Sequence, residues 1–126
     1  MTIQVKTDEK RQIIDITPYI EGYLKGSGLA NVFVLHTTAA ITVADLDPGT
    51  DQDYLDAIES MTTDKKWQHP HDPSHFPDHL WSSLIGPSLT LPYKDNKLVL
   101  GTWQRVILIE LDGPRQRTLE LSLITG

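Results

Sequence analysis

The amino-acid sequence predicts an α+β domain: a mostly antiparallel sheet or sandwich of about eight strands, with two or three helices packed on it. Three observations carry this reading. The chain opens on period-two alternation, its middle holds two segments with helical spacing, and its last forty or so residues break into β-rich runs separated by turn signals.

Ile3-Gln4-Val5-Lys6-Thr7 alternates apolar and polar, as a half-buried strand does. Asp8-Glu9-Lys10 turns the chain, and Gln12 to Ile16 reads as a second strand. Thr17-Pro18 marks a helix start, with Thr17 as N-cap and Pro18 at the first helical position; Gly26 or Gly28 ends it. Ala30 to His36 is apolar at successive positions, the pattern of a central strand covered on both faces. After Thr37-Thr38-Ala39, Ala40 to Ala44 continues as another strand.

Tyr54, Leu55, Ile58 and Met61 define a helix from Asp51 to Met61, with Asp51 and Asp53 at the positive end of its dipole. The loop Thr62 to Phe76 is long, and long loops are usually functional or disordered; the nearby Trp67 and Trp81 favour order. Pro77-Asp78 opens a short helix, His79 to Leu84, closed by Gly86. The remainder reads as an antiparallel meander: Ser88 to Tyr93, Lys97 to Leu100, Gln104 to Leu111 and Thr118 to Ile124. Lys94-Asp95-Asn96, Gly101-Thr102-Trp103 and Asp112-Gly113-Pro114 supply the turns.

A chain of 126 residues is one domain, residues 1–126, and 39% hydrophobic with 22% charged residues suits an ordered core. A net charge of -6 argues against nucleic acid as a partner, since that needs a basic face. A small anion in a local arginine pocket stays compatible with it. With no cysteine, disulfides, thiolate catalysis and Cys-type zinc sites are excluded. No signal-peptide pattern and no apolar stretch of spanning length is present, so the expectation is a cytoplasmic protein without a membrane partner.

All five histidines fall in two places: His36 ends an apolar run, and His69, His71, His75 and His79 crowd into HPHDPSHFPDH. Neutral imidazole is the commonest protein ligand for a transition metal, and three imidazoles leave a coordination position open for water or substrate. His36, His69 and His79 form the leading trio, with His71 and His75 as substitutes for either partner. A solvated histidine-rich loop is the plain alternative. Asp45 and Glu110 are carboxylates placed to move a proton, although Glu110 suits a sheet edge or a buried pair as well. Thr37 and Thr38 add hydroxyls beside His36. Arg115 and Arg117, two apart, would share a strand face and grip one phosphate, or else be ordinary surface charges. Trp103 could stack on a flat ring beside Gln104, or pack as core. No nucleophile elbow, P-loop, dinucleotide fingerprint or zincin helix occurs.

Together, several segments resemble the YjbQ-type family of small proteins, often labelled secondary thiamine-phosphate synthases. These are His36-Thr37-Thr38-Ala39-Ala40, the His69 loop, His79-Leu80-Trp81-Ser82-Ser83-Leu84-Ile85-Gly86, Ser88-Leu89-Thr90-Leu91-Pro92, Gly101-Thr102-Trp103-Gln104, Glu110 and Arg115-Gln116-Arg117. The resemblance covers nearly the whole chain, in order. It implies a homotrimer, or a higher multiple such as a hexamer, and a metal pocket at His36, His69 and His79. It also implies joining of a pyrimidine pyrophosphate to a thiazole phosphate, so the expected partner is a small phosphorylated heterocycle. The expected cofactor is a divalent metal, zinc first and magnesium second. Family members commonly carry an Asn-Glu-Asn-like stretch where this chain has Ala44-Asp45-Leu46, which leaves Asp45 one methylene short of Glu. Zinc-water hydrolysis of an ester or phosphate, and simple binding of a metal or metabolite, are the alternatives.

Overall fold

The computed structural model describes residues 1–63 and 65–126. Among these residues, eight antiparallel strands form two sheets. β1 (Thr2–Lys6), β8 (Gln116–Thr125), β3 (Gly28–Val34), β5 (Ser88–Lys94) and β6 (Lys97–Leu98) make one, in that order; β2 (Gln12–Asp15), β7 (Arg105–Glu110) and β4 (Ala39–Ala44) make the other. The expected α+β class is therefore what the chain adopts, with α1 (Thr17–Glu21), α2 (Thr50–Met61) and α3 (Phe76–Ile85).

The expected terminal meander is corrected. Only β5 and β6 form a hairpin, across Asp95 and Asn96, whose φ values of 52° and 69° are those of a two-residue turn matched to strand twist. β7 leaves for the smaller sheet and β8 returns to pair with β1 and β3. A turn signal marks a change of direction; it does not say which sheet receives the next strand.

Alternation explains the packing. Ile3 and Val5, Ala30, Val32 and Val34, and Leu119 and Leu121 line the inner face of the larger sheet, meeting Ala39, Ile41, Val106 and Leu108 of the smaller one. The other face of β7 buries Ile107 and Ile109 with Ile13 and Leu111 against Ile58 of α2 and Trp81 and Ile85 of α3. β7 is thus the strand covered on both sides. The apolar run predicts β3 for that role, but its outer residues Leu29 and Phe33, with Leu35 just beyond, are 45%, 41% and 53% exposed.

Thr17 is corrected too. It lies inside α1, and Ile16 is the N-cap residue. The Thr17 hydroxyl instead accepts from Val106 N–H at 2.8 Å, tying α1 to the start of β7, and Gly22 rather than Gly26 or Gly28 ends the helix. The long loop holds one 3-10 turn, Pro73–His75, capped by Asp72, whose carboxylate accepts from Ser74 N–H at 3.0 Å.

Candidate functional site

β3 ends at Val34, and the chain passes through His36, Thr37 and Thr38 before β4 crosses to the smaller sheet. α3 begins one layer above. Its Ser82 hydroxyl donates to Ala39 O at 2.6 Å, and Gly86 O accepts from Ile41 N–H at 3.0 Å, so the helix sits on β4 in a fixed register. This places the first turn of α3 over the His36 turn. Between them opens a cleft of about 420 Å³, lined by His36, Thr37, Phe76, His79, Leu80 and Ser83 among others.

The two cleft histidines are held differently. His79 Nδ1 lies 3.1 Å from Thr37 O. A carbonyl oxygen only accepts, so Nδ1 carries the proton and Nε2 of the neutral ring keeps its lone pair. His36 Nε2 accepts from Thr118 N–H at 2.8 Å. Leu35 N–H already donates to Thr118 O, so the His36 ring occupies the place of the next rung of the β3–β8 ladder. Its lone pair is spent there, and the proton of the neutral ring sits on Nδ1. Burial, and then the charge of Arg117, hold the His36 pKa below 6.5.

His69 packs its ring on His79, centroids 4.5 Å apart. The predicted loop histidines otherwise separate. His75 Nε2 lies 3.2 Å from an Asp72 carboxylate oxygen and its Nδ1 4.0 Å from one of Asp112, while His71 is exposed at φ 69°. Neither is among the residues that line the cleft.

Glu110 and Arg117 are brought together under the His36 turn, and both are buried, at 0% and 1% exposure. Arg117 Nε donates to both Glu110 oxygens at 2.9 and 3.1 Å, and Nη2 donates to Glu110 as well. Nη2 also donates to Thr38 O and Thr38 Oγ1 at 3.0 and 2.9 Å. Thr7 Oγ1 and Asp112 N–H complete the shell of the Glu110 carboxylate, at 2.7 and 3.1 Å. Both Glu110 oxygens and the Nε and Nη2 groups of Arg117 are engaged, as carrying charge in a core requires. Gly113 closes the network because a Cβ there would stand 2.2 Å from Glu9 O and 2.9 Å from Glu110 Cγ.

The shared arginine grip is corrected by this geometry. Arg115 precedes β8, so strand alternation does not place it beside Arg117; it is exposed and bonded to Asp112. Thr38 is likewise spent on Arg117. Trp103 and Gln104 stand at the start of β7, a strand length of about 17 Å from its Glu110 end at about 3.3 Å per residue. Trp103 is 69% exposed and Gln104 folds back to accept from Gly101 N–H at 2.7 Å, so neither borders the cleft within one chain. Asp45 follows β4 at that same far end, with its carbonyl accepting from Tyr54 OH at 2.8 Å.

Residues not singled out in the sequence anchor α3. Asp78, buried in its first turn, receives Lys10 Nζ at 2.8 Å and Arg11 Nη2 at 2.9 Å, and Lys10 reaches on to Asp112 at 2.7 Å. An acid just after Pro77 signals a helix start; its burial beneath two cations has no local signature. A larger concavity than this cleft, about 680 Å³, lies elsewhere, between the end of α2 and the loop, lined by Lys65, Lys66 and Trp67 among others.

Does this arrangement suit a metal? His79 does: a ring whose Nδ1–H is fixed by a carbonyl presents Nε2 in the manner of a metal ligand. His69 packs its ring against it. His36 does not fit as it stands, because its one lone pair faces Thr118. Among the described residues, no group of three or more His, Asp or Glu side chains is gathered to hold an ion.

The family model described as "UPF0047 protein YjbQ-like" matches residues 1–126. UPF0047 protein MJ1081 of Methanocaldococcus jannaschii is 37% identical, over 96% of this chain and 91% of its own length. UPF0047 protein YugU of Bacillus subtilis is 32% identical, over 98% and 97%. The crystal structure of the conserved hypothetical protein TT1486 from Thermus thermophilus superposes with a TM-score of 0.90 at 35% identity, covering 98% of this chain and 99% of that one.

Proposed function

The chain belongs to the UPF0047, YjbQ-like family, and on that premise we propose that it is an enzyme acting on a small phosphorylated heterocycle in the His36–His79 cleft. The reaction we favour is of the thiamine-phosphate-synthase type. A thiazole nitrogen bonds to the methylene carbon of a pyrimidine pyrophosphate, the carbon–oxygen bond breaks, and pyrophosphate leaves with the electron pair. One observation supports the reading most: two imidazoles line one cleft, His79 held through Nδ1 by Thr37 O and His36 through Nε2 by Thr118 N–H.

A divalent ion, zinc before magnesium, would sit on His79 and His69 and supply positive charge for the departing oxygens. This chain's own residues do the rest. Thr37 O orients His79, the buried Glu110–Arg117 pair holds the Thr38 turn rigid, and Lys10 and Arg11 fix α3 through Asp78. The outward Phe33 and Leu35 beside the cleft suit burial in a homotrimer or hexamer.

His79→Ala tests the reading. With both precursors supplied, product formation falls at least about a hundredfold, as for loss of a positioned acid–base or ligand group. The zinc content of the purified protein falls with it. Unchanged turnover by that variant would refute the assignment of the cleft.

A further inference from the structure

We propose that His36 is a tautomer-locked hydrogen-bond donor that grips an anionic oxygen of the ligand, and not a metal ligand. The inference deepens the reading of the cleft as an enzyme site and rests on it.

The lock is a main-chain group. Thr118 N–H belongs to β8, whose neighbouring rungs are fixed by pairing with β1 and β3. It cannot turn away, and an amide N–H only donates, so the atom facing it must be an unprotonated ring nitrogen. The neutral imidazole then has its proton on Nδ1. Nδ1 makes no hydrogen bond among the described residues. It is also not among the buried polar atoms left without partners, which are Arg11 Nη1 and Tyr93 OH. A ring nitrogen with no partner that is not buried is one that solvent reaches, and the ring lines the cleft. The N–H is thus presented to whatever enters.

Charge settles which acceptor it prefers. Arg117 and Arg115 both disfavour a proton added to His36, against the opposing effect of Glu110. The same positive field favours a negative oxygen beside Nδ1. Across the cleft, His79 offers a lone pair and Thr37 an exposed side chain. A metal ion on His36 would have to break the Thr118 bond first. A phosphate or pyrophosphate oxygen uses the ring as it stands.

The test separates donor from ligand by replacing each half of the ring. Asn at this position places an amide N–H near Nδ1; Gln extends to Nε2, where its oxygen serves Thr118. By calorimetry with inorganic pyrophosphate, His36→Asn retains affinity to within about threefold while His36→Gln loses about tenfold or more, as for a hydrogen bond to a charged group. Zinc affinity is the same in wild type and both variants. Long-range proton–nitrogen correlation on the labelled full chain shows His36 protonated on Nδ1 and bare on Nε2. Loss of zinc in both variants, equal loss of pyrophosphate in both, or a proton on Nε2 would overturn the proposal. If wild type binds no pyrophosphate, the assignment of an anionic ligand falls. If pyrophosphate binds with the expected dependence on His36 but His79→Ala keeps full turnover, the assignment of the cleft as the place of turnover falls while the role of His36 as an anion donor stands.

Discussion

The two ends of β7 treat charge in opposite ways. At its start, Arg105 meets Asp15 at 2.7 Å with both side chains substantially exposed, beside the outward Trp103. At its finish, Glu110 and Arg117 form a pair buried to 0% and 1% exposure beneath the turn that leads into the histidine cleft. A surface pair is screened and contributes little; a buried one is costly to desolvate and survives only with every oxygen and N–H engaged. Such a pair is retained where geometry matters, here the turn from His36 to Thr38. The buried pair lies under the turn that carries His36 into the cleft proposed above as the site.

Substitutions at the two ends put this contrast to the test. Arg117→Met strands a buried carboxylate and costs about 3–5 kcal/mol in denaturant unfolding, and the double variant with Glu110→Gln recovers part of the loss. Gly113→Ala pushes a methyl group against Glu9 O and the Glu110 side chain. It destabilises by about 1–3 kcal/mol as overpacking does, read as a lowered unfolding midpoint.

A pH effect follows from His36. Its pKa in the fold lies below 6.5, so the unfolded chain takes up the proton first. The stabilisation is complete above pH 6.5 and is lost as pH falls toward the folded value. The stability advantage of wild type over His36→Gln, measured by unfolding, therefore shrinks between about pH 7.5 and about pH 5. At the other end of β7, Arg105→Ala changes stability by less than about 1 kcal/mol. A larger loss there would erase the contrast.

Strands are legible in the sequence where alternation is unbroken, as in Ile3 to Lys6, and helices where spacing and punctuation agree, as at Asp51 to Met61. Double-sided burial is not, because the runs 30–36 and 106–111 are both mostly apolar. Only the pairing of β7 between β2 and β4, beneath α2 and α3, tells them apart. Residue type and spacing single out His36, His69 and His79; His36 and His79 line one cleft and His69 packs on His79. What each ring offers depends on the partners of single atoms, Thr118 N–H for His36 and Thr37 O for His79, and no spacing encodes those. Arg115 and Arg117 mislead because the two-residue period holds only within a strand, and Arg115 lies outside it.

A crystal structure of the full chain grown with zinc and inorganic pyrophosphate decides whether the histidine cleft is the working site. Pyrophosphate is expected within hydrogen-bond reach of His36 Nδ1, with zinc on His79 Nε2 and the Thr118 bond intact. Pyrophosphate seated instead against Lys65 and Lys66, with the cleft empty, would show that the site lies elsewhere.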